Sequence, residues 1–380
     1  MNENWQMLNS TELCLFNFYK YVCINFRMLS NVFEECMGNK KALVGLTLEE
    51  LKAEVVKLSL PVFTAKQIVD WIYKKKVKSI DEMTNISLVN REILSSHFEV
   101  GLTPPIECCS SSDGTKKYLF KVNNHFIESV FIPEEDRATL CVSTQVGCKM
   151  NCLFCATGKQ GFSAHLSATD ILNQIFSIPE SERLTNVVYM GMGEPFDNID
   201  SVLISLNVLT SDYGLGWSPK RVTVSSVGLL PGLKRFLTET KCHLAISLHN
   251  PIAEERRQIM PIQKAYPIDS IVQELKKYDF SGQRRVSFEY TMFKGVNDQQ
   301  KHIQALIKLL SGLECRINLI RFHSVPEAGL EGSTMDKMEW FRDELNKRGI
   351  TTTIRKSRGE DIFAACGLLS TKKKIEYENL

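Results

Sequence analysis

From residue 139 onward the chain alternates short β-rich runs with helical stretches six times over, and no other feature constrains its fold as tightly. The β-rich runs lie at 139–142, 186–190, 221–225, 243–248, 285–291 and 316–320. Helical patterns at 168–176, 202–209, 229–237, 268–278 and 300–310 separate them. Strand alternating with helix implies parallel pairing, because a parallel neighbour is reached only through a crossover. Six units fall short of the eight that close a full barrel. The pattern therefore predicts an α/β fold built on an open, partial (βα)6 barrel, whose chemistry gathers where strands end and loops begin.

One such end carries Cys148-Lys149-Met150-Asn151-Cys152-Leu153-Phe154-Cys155, a Cys-x3-Cys-x2-Cys spacing with no further cysteine until Cys242. Full ligation of a 4Fe-4S cluster takes four thiolates. Three suit a cluster that keeps one iron free of protein. An open iron can be chelated by the amino and carboxylate groups of a methionine moiety and can deliver an electron to its sulfonium, which points to S-adenosylmethionine. Zinc is the rival ligand, but structural zinc sites usually take four Cys or His in short pairings. The nearest histidine, His165, lies ten residues beyond Cys155.

Composition matters here in two ways. Twelve irregularly spaced cysteines in 380 residues, without a secretory leader, predict a reducing cytoplasm in which thiols ligate metal or react. The apolar stretch 13–26 is interrupted by Asn17, Lys20 and Asn25 and lacks a basic region ahead of it, so it fails as a signal peptide or a membrane span. A formal net charge of +2 neither demands nor excludes a nucleic acid; any positive surface must be local.

Residues 1–42 show no period and receive no function. A small helical module is predicted at 43–100. Thr47 with Glu50 resembles a capping box before Leu51, Val55, Val56 and Leu58. A second helix starts near Thr64 and runs through Ile68, Trp71 and Ile72 into Lys74, Lys75, Lys76 and Lys78, and a third spans 88–98. The lysine run suits either phosphate contacts or a solvated helix end. A linker and short antiparallel strands at 118–122 and 126–133, turning at Asn123-Asn124, occupy 101–138. The catalytic barrel is expected over 139–370, with a basic tail at 371–380.

Gly191-Met192-Gly193-Glu194 follows the second barrel strand, where glycines let backbone approach a ligand and Glu194 offers a carboxylate to an ammonium group. Ser225, Ser247 and His249 stand at corresponding strand ends. Near the C-terminus Cys366 lies between Ala365 and Gly367, downstream of Arg355, Lys356 and Arg358. That setting suits an accessible, reactive thiol, though a cysteine among small residues also serves as a buried apolar group.

Taken together, the run Cys141 to Cys148, the cluster motif, Gly191-Met192-Gly193-Glu194-Pro195, Ser247-Leu248-His249 and the stretch 359–367 closely resemble the radical S-adenosylmethionine adenine-C2 RNA methyltransferases. These are bacterial dual-specificity enzymes that act on 23S rRNA and tRNA. The resemblance runs in order over 43–369 and includes Phe63-Thr64-Ala65-Lys66-Gln67, Met260-Pro261-Ile262 and Gly295-Val296-Asn297-Asp298. It implies a radical SAM barrel holding one 4Fe-4S cluster on Cys148, Cys152 and Cys155, and two S-adenosylmethionine molecules per turnover. Implied cofactor contacts are Gly193, Glu194, Ser225, Ser247, Leu248 and His249, with His323 standing where the family usually has asparagine.

The resemblance also assigns the thiols. A first S-adenosylmethionine methylates Cys366, and a radical derived from the second abstracts hydrogen from that methyl group. The resulting carbon radical adds to adenine. Glu128 then accepts the carbon-2 proton, and Cys141 releases the product by closing a transient disulfide with Cys366. An external electron donor of flavodoxin type and a monomeric state in a bacterial-type cytoplasm complete the expectation. The alternatives are an adenine-C8 methyltransferase of the rRNA, a radical enzyme that does not act on RNA, and a zinc-bearing RNA-binding module.

Overall fold

A computed structural model describes residues 40–371 except 281, 283, 326 and 327. The expectations for the first 39 residues and for the basic tail from 372 lie outside the described residues.

His243–Ser247 and Val286–Met292 are buried along nearly their whole length and Val222–Ser226 at alternate positions, as befits central parallel strands. They pair in parallel, Ser225 opposite Ala245 and Ser247 opposite Glu289. Asn186–Tyr189 and then Ala138–Cys141 extend the sheet on one side, and Arg316–Arg321 on the other. The six strands expected from the sequence are thus present in parallel. A seventh, Thr352–Ile354, pairs Ile317 with Thr352. It escaped the pattern because three residues are too few to show a period.

The other edge is antiparallel. His125–Pro133 pairs with Ala138–Cys141, setting Val130 opposite Cys141, and Lys116–Val122 and Glu107–Ser110 follow outward. The result is one open ten-stranded sheet. Glu107–Ser110 is exposed at every position and so had no alternation to reveal it.

Helices Ala168–Phe176, Ile199–Thr210, Leu230–Glu239, Ile268–Leu275, Gln300–Leu310 and Met335–Lys347 pack their apolar stripes on this sheet. The last was not anticipated. Its Phe341 stacks on Tyr290 with ring centroids 5.5 Å apart, both rings fully buried. Phe341→Ala is expected to cost about 4 kcal/mol by leaving a cavity behind Tyr290. Urea unfolding of the cluster-free protein checks this, through a lower midpoint at unchanged slope.

The N-terminal module forms as its capping signal predicts. Thr47 N–H donates to Glu50 Oε2 at 2.8 Å, and Glu50 N–H donates back to Thr47 Oγ1 at 3.3 Å, opening the helix Leu48–Lys57. The second helix is regular only over Thr64–Val69 and then widens into a π turn over Asp70–Lys74. That turn lets Tyr73 face the barrel, where its hydroxyl donates to Leu46 O at 2.8 Å and its ring lies 6.0 Å from Phe176.

The lysines after it are largely committed. Lys74 and Lys75 reach Asp70, Lys75 lies over the Trp71 ring, and Lys76 pairs with Glu182 at 2.7 Å. Arg284 likewise is buried against Phe236 and donates to Leu237 O at 2.8 Å. Among the described residues no helix is long and apolar enough to cross a membrane.

Candidate active site

The cysteine loop is bracketed by a two-stranded antiparallel ribbon, Gln145–Gly147 with Phe162–His165. Gly147 makes the ribbon possible: its φ is +73°, and a Cβ there would stand 1.6 Å from the Gly161 carbonyl. Inside the ribbon, Cys148 N–H donates to Gly161 O at 3.1 Å, Cys155 N–H to Cys152 O at 3.2 Å, and Leu153 N–H to Ile259 O at 2.9 Å. These bonds turn Cys148, Cys152 and Cys155 into the wall of one cavity of about 160 Å³.

Burial pushes the Cys148 thiol up to about 12 and the Cys152 thiol well above its ordinary range, and it raises Cys155 as well. Thiols held this way need a bound cation to become ligands. Among the described residues no three His, Cys, Asp or Glu stand close enough to hold one metal ion. Three soft donors spread around a cavity suit a polynuclear iron–sulfur cluster better than a single zinc ion. The residues present therefore fit the group expected from the motif.

Glu194 lies on the same wall. Its Oε1 accepts from Ser226 Oγ at 2.6 Å and from Phe196 N–H at 3.0 Å, and its Oε2 accepts from Val227 N–H at 2.9 Å. Three acceptor sites are used, leaving one for a ligand's ammonium group. Burial nonetheless raises its pKa to about 7 against the lowering effect of those bonds. Gly193, at φ +102°, passes so close to Gln145 that a Cβ would lie 2.6 Å from the Gln145 Cβ.

A raised carboxyl pKa has a definite sign in stability. Between about pH 4.5 and about pH 7 the folded state keeps a proton that the unfolded state has released. The contribution is complete below that window and lost as pH rises through it. The cluster-free protein should therefore lose on the order of 3 kcal/mol relative to Glu194→Gln over this rise. Parallel urea titrations of the two proteins at several pH values measure the difference.

Ser225, Ser247 and His249 also line the cavity. His249 Nδ1 accepts from Thr291 N–H at 2.9 Å, and burial lowers the ring to about 3, so the imidazole is neutral with its proton on Nε2. Two expected cofactor residues are not on this wall. Leu248 is fully buried with its side chain in the main core. His323 turns away: one ring nitrogen is 2.9 Å from Ser357 Oγ and the other 3.6 Å from Glu360. Ile320, Arg321 and Phe322 take its place, Phe322 packing on Phe293 at 5.1 Å.

A second cavity, of about 100 Å³, is lined by both Cys141 and Cys366. Burial, and then the neighbouring Cys366, push the Cys141 thiol up to about 12, while Arg355 pulls it down. Arg355 lines both cavities and pairs with Glu289 at 3.3 Å. The Cys366 loop is strapped in place. Ala156 N–H donates to Gly367 O at 2.8 Å, Thr157 Oγ1 to Leu369 O at 2.7 Å, and Ser111 Oγ to Asp361 at 2.5 Å.

Glu128 is on the wall of neither cavity. It pairs with Lys117 at 2.9 Å and accepts from Ser370 N–H at 3.0 Å. Strand periodicity puts it on the same face as Val130 and Ile132, which do line the second cavity.

The sequence did not mark Glu289 or Arg256 as site residues, and of the pair Ser225-Ser226 at a strand end it assigned only Ser225. Glu289 left a signal too, as a carboxylate near the end of a predicted strand.

Comparison with known proteins agrees with this geometry. The model of the Radical SAM superfamily matches residues 142–308, and that of the Ribosomal RNA large subunit methyltransferase N-terminal domain matches residues 41–100. The cysteine-lined barrel is thus that of a radical SAM protein.

A probable dual-specificity RNA methyltransferase RlmN of Phocaeicola vulgatus is 62% identical, covering 88% of this chain and 96% of its own. A dual-specificity RNA methyltransferase RlmN of Syntrophus aciditrophicus is 39% identical, covering 88% and 97%. The crystal structure of a radical SAM methyltransferase from Sphaerobacter thermophilus superposes with a TM-score of 0.81 at 36% identity, covering 87% of this chain and 99% of that one. The chain belongs to the RlmN family of radical SAM dual-specificity RNA methyltransferases.

Proposed function

We propose that this chain methylates carbon 2 of adenine in 23S rRNA and in tRNA through a methyl group carried on Cys366. The observation that supports this reading is the pair of thiols, Cys141 and Cys366, lining one small cavity that shares Arg355 with the cofactor cavity. A radical enzyme that leaves RNA alone has no use for such a pair.

Carbon 2 of adenine is an electron-poor amidine carbon and does not attack a sulfonium methyl as a nitrogen or oxygen would. In this reading Cys148, Cys152 and Cys155 hold the 4Fe-4S cluster. When bound, that group supplies the electron that cleaves S-adenosylmethionine. Glu194 and Gly193 receive the methionine end, and Ser225, Ser247 and the neutral His249 offer hydrogen bonds to the rest.

The Cys366 sulfur attacks the methyl carbon of a first S-adenosylmethionine and keeps the methyl group, while S-adenosylhomocysteine is displaced. A second molecule is consumed in activating that methyl group. Once the methylene carbon is bonded to adenine, the adduct radical would give up one electron to the oxidised cluster and Glu128 takes the carbon-2 proton, which restores the aromatic ring. The Cys141 thiolate attacks the Cys366 sulfur, the carbon leaves with the bonding pair and takes up a proton to become the methyl group, and the disulfide that closes is later reduced by a cellular thiol.

The adenine must leave its stack to reach the site, which favours loops over duplex. We assign the domain limits 43–100, 101–138 and 139–370, an external flavodoxin-type electron donor, a monomeric state and a bacterial cytoplasm to the same proposal.

Mass analysis of rRNA and tRNA digests from a host lacking its own enzyme tests the reading. 2-Methyladenosine in both RNAs is expected; 8-methyladenosine as the main product overturns it. Glu194-Pro195, where the carbon-8 enzymes tend to continue Glu-Ala, favours carbon 2.

A further inference from the structure

Arg256 is fully buried, and every hydrogen bond it makes is to a neutral acceptor. Its Nε donates to Leu248 O at 3.0 Å, its two terminal nitrogens to Gln263 Oε1 at 2.6 Å and Ser247 O at 2.9 Å, and a longer contact of 3.5 Å reaches Val227 O. Among the described residues no carboxylate lies within 4.0 Å of it. The nearby Glu255 is taken by Lys301, His302 and Asn250, and Glu254 by Arg257. Burial lowers Arg256 only to about 10, so it is a cation at neutral pH.

A buried guanidinium without a counter-ion is strongly unfavourable. Of the ionisable groups that bear on it, only the Cys152 sulfur, once a bound cation has taken its proton, would favour the protonated guanidinium. The backbone explains the approach, since helix Ala253–Ile259 carries Arg256 and its last residue accepts the Leu153 N–H of the cysteine loop at 2.9 Å. Arg256 also grips the carbonyls of Val227 and Ser247, two residues of the cofactor cavity wall.

We propose that the counter-charge of Arg256 is the thiolate-held cluster itself, so that this buried cation raises the cluster's reduction potential and ties cluster binding to the stability of the fold. The inference rests on the cluster reading of Cys148, Cys152 and Cys155. One-electron reduction adds a negative charge to the cluster, and a fixed cation in a low-dielectric wall favours the more negative state. Arg256 touches no reacting atom; it is a positioning residue for charge.

The test uses the full-length protein, reconstituted anaerobically with iron and sulfide, as wild type, Arg256→Met and Arg256→Lys. Redox titration with dithionite, followed by electron paramagnetic resonance, is expected to give a midpoint shifted to more negative values in Arg256→Met and close to wild type in Arg256→Lys. Thermal unfolding supplies the second readout. Without cluster, Arg256→Met should be at least as stable as wild type, and its gain on loading should be smaller.

An unmoved midpoint in Arg256→Met overturns the proposal. So does a cluster-free Arg256→Met that unfolds early or fails to fold, since bracing of the carbonyls would then be the residue's role. A wild type that takes up one zinc and no iron fails earlier, at the cluster reading, and is distinguished by metal analysis.

Discussion

Alanine at Cys148, Cys152 or Cys155 is expected to abolish reductive cleavage of S-adenosylmethionine, by roughly a thousandfold or more, while leaving a folded protein. The reason is the donor count. Three thiols line the cavity, and the remaining walls offer Glu194, already bonded to Ser226, Phe196 and Val227, Glu289, paired with Arg355, and His249, whose Nδ1 is taken by Thr291, but no fourth thiol except Cys366 on its strapped loop. Two thiolates do not hold an iron–sulfur cluster that needs three.

The fold should survive because backbone bonds, from Cys148 to Gly161 and from Leu153 to Ile259, set the loop. Removing a buried, unmetallated thiol that burial keeps protonated disturbs little. Anaerobic reconstitution followed by iron analysis, visible absorbance and chromatography of 5'-deoxyadenosine measures the loss. A Cys148→Ala protein that stays brown and cleaves S-adenosylmethionine at the wild-type rate would show that the motif is not the cluster site.

Cys141→Ala should fail at the other end of the reaction. Cys366 and the cofactor wall are untouched, so methyl transfer to Cys366 and its addition to adenine proceed, but the one other thiol lining the second cavity, Cys155, is taken by the cluster in this reading, and none is free to attack the Cys366 sulfur. Enzyme and RNA then stay joined, and turnover stops near one product-equivalent per enzyme.

Denaturing electrophoresis before and after ribonuclease treatment reveals the adduct, and peptide mass analysis locates it at Cys366. Free turnover without adduct falsifies the assigned roles. The pH dependence of release carries the same signature. Burial holds the Cys141 thiol up near 12, with Arg355 opposing it, so release by wild type should accelerate as pH rises through the alkaline range.

Much of this was legible in the chain. The β/α alternation from 139 onward is a local periodicity, and strands such as His243–Ser247 announce themselves because burial on both faces demands an unbroken apolar run. Thr47 and Glu50 marked a helix start for the same local reason, a side chain bonding to backbone three residues away. What escaped were elements with no period to show: the exposed edge strand Glu107–Ser110 and the three-residue strand Thr352–Ile354. Lys76 and Arg284 illustrate the converse, since positive charge in sequence says nothing about whether Glu182 or a buried ring already occupies it.

The sequence by itself determined the parallel alternation of strand and helix and the family, and it proposed the cluster ligands, because spacing along a chain is a covalent fact and ligand type follows from side-chain chemistry. Only the tertiary structure decided which distant groups meet. Arg355 reaches Met190 and Glu289 across more than sixty residues of chain, Ser111 fastens the Cys366 loop through Asp361 from 250 residues away, and Arg256 is left buried against the Ser247 and Val227 carbonyls of the cavity wall without a carboxylate. It likewise turned His323 toward Ser357 and Glu360 instead of the cavity. Such contacts depend on how sheet, loops and helices close around the site, and no local pattern of residues encodes that closure.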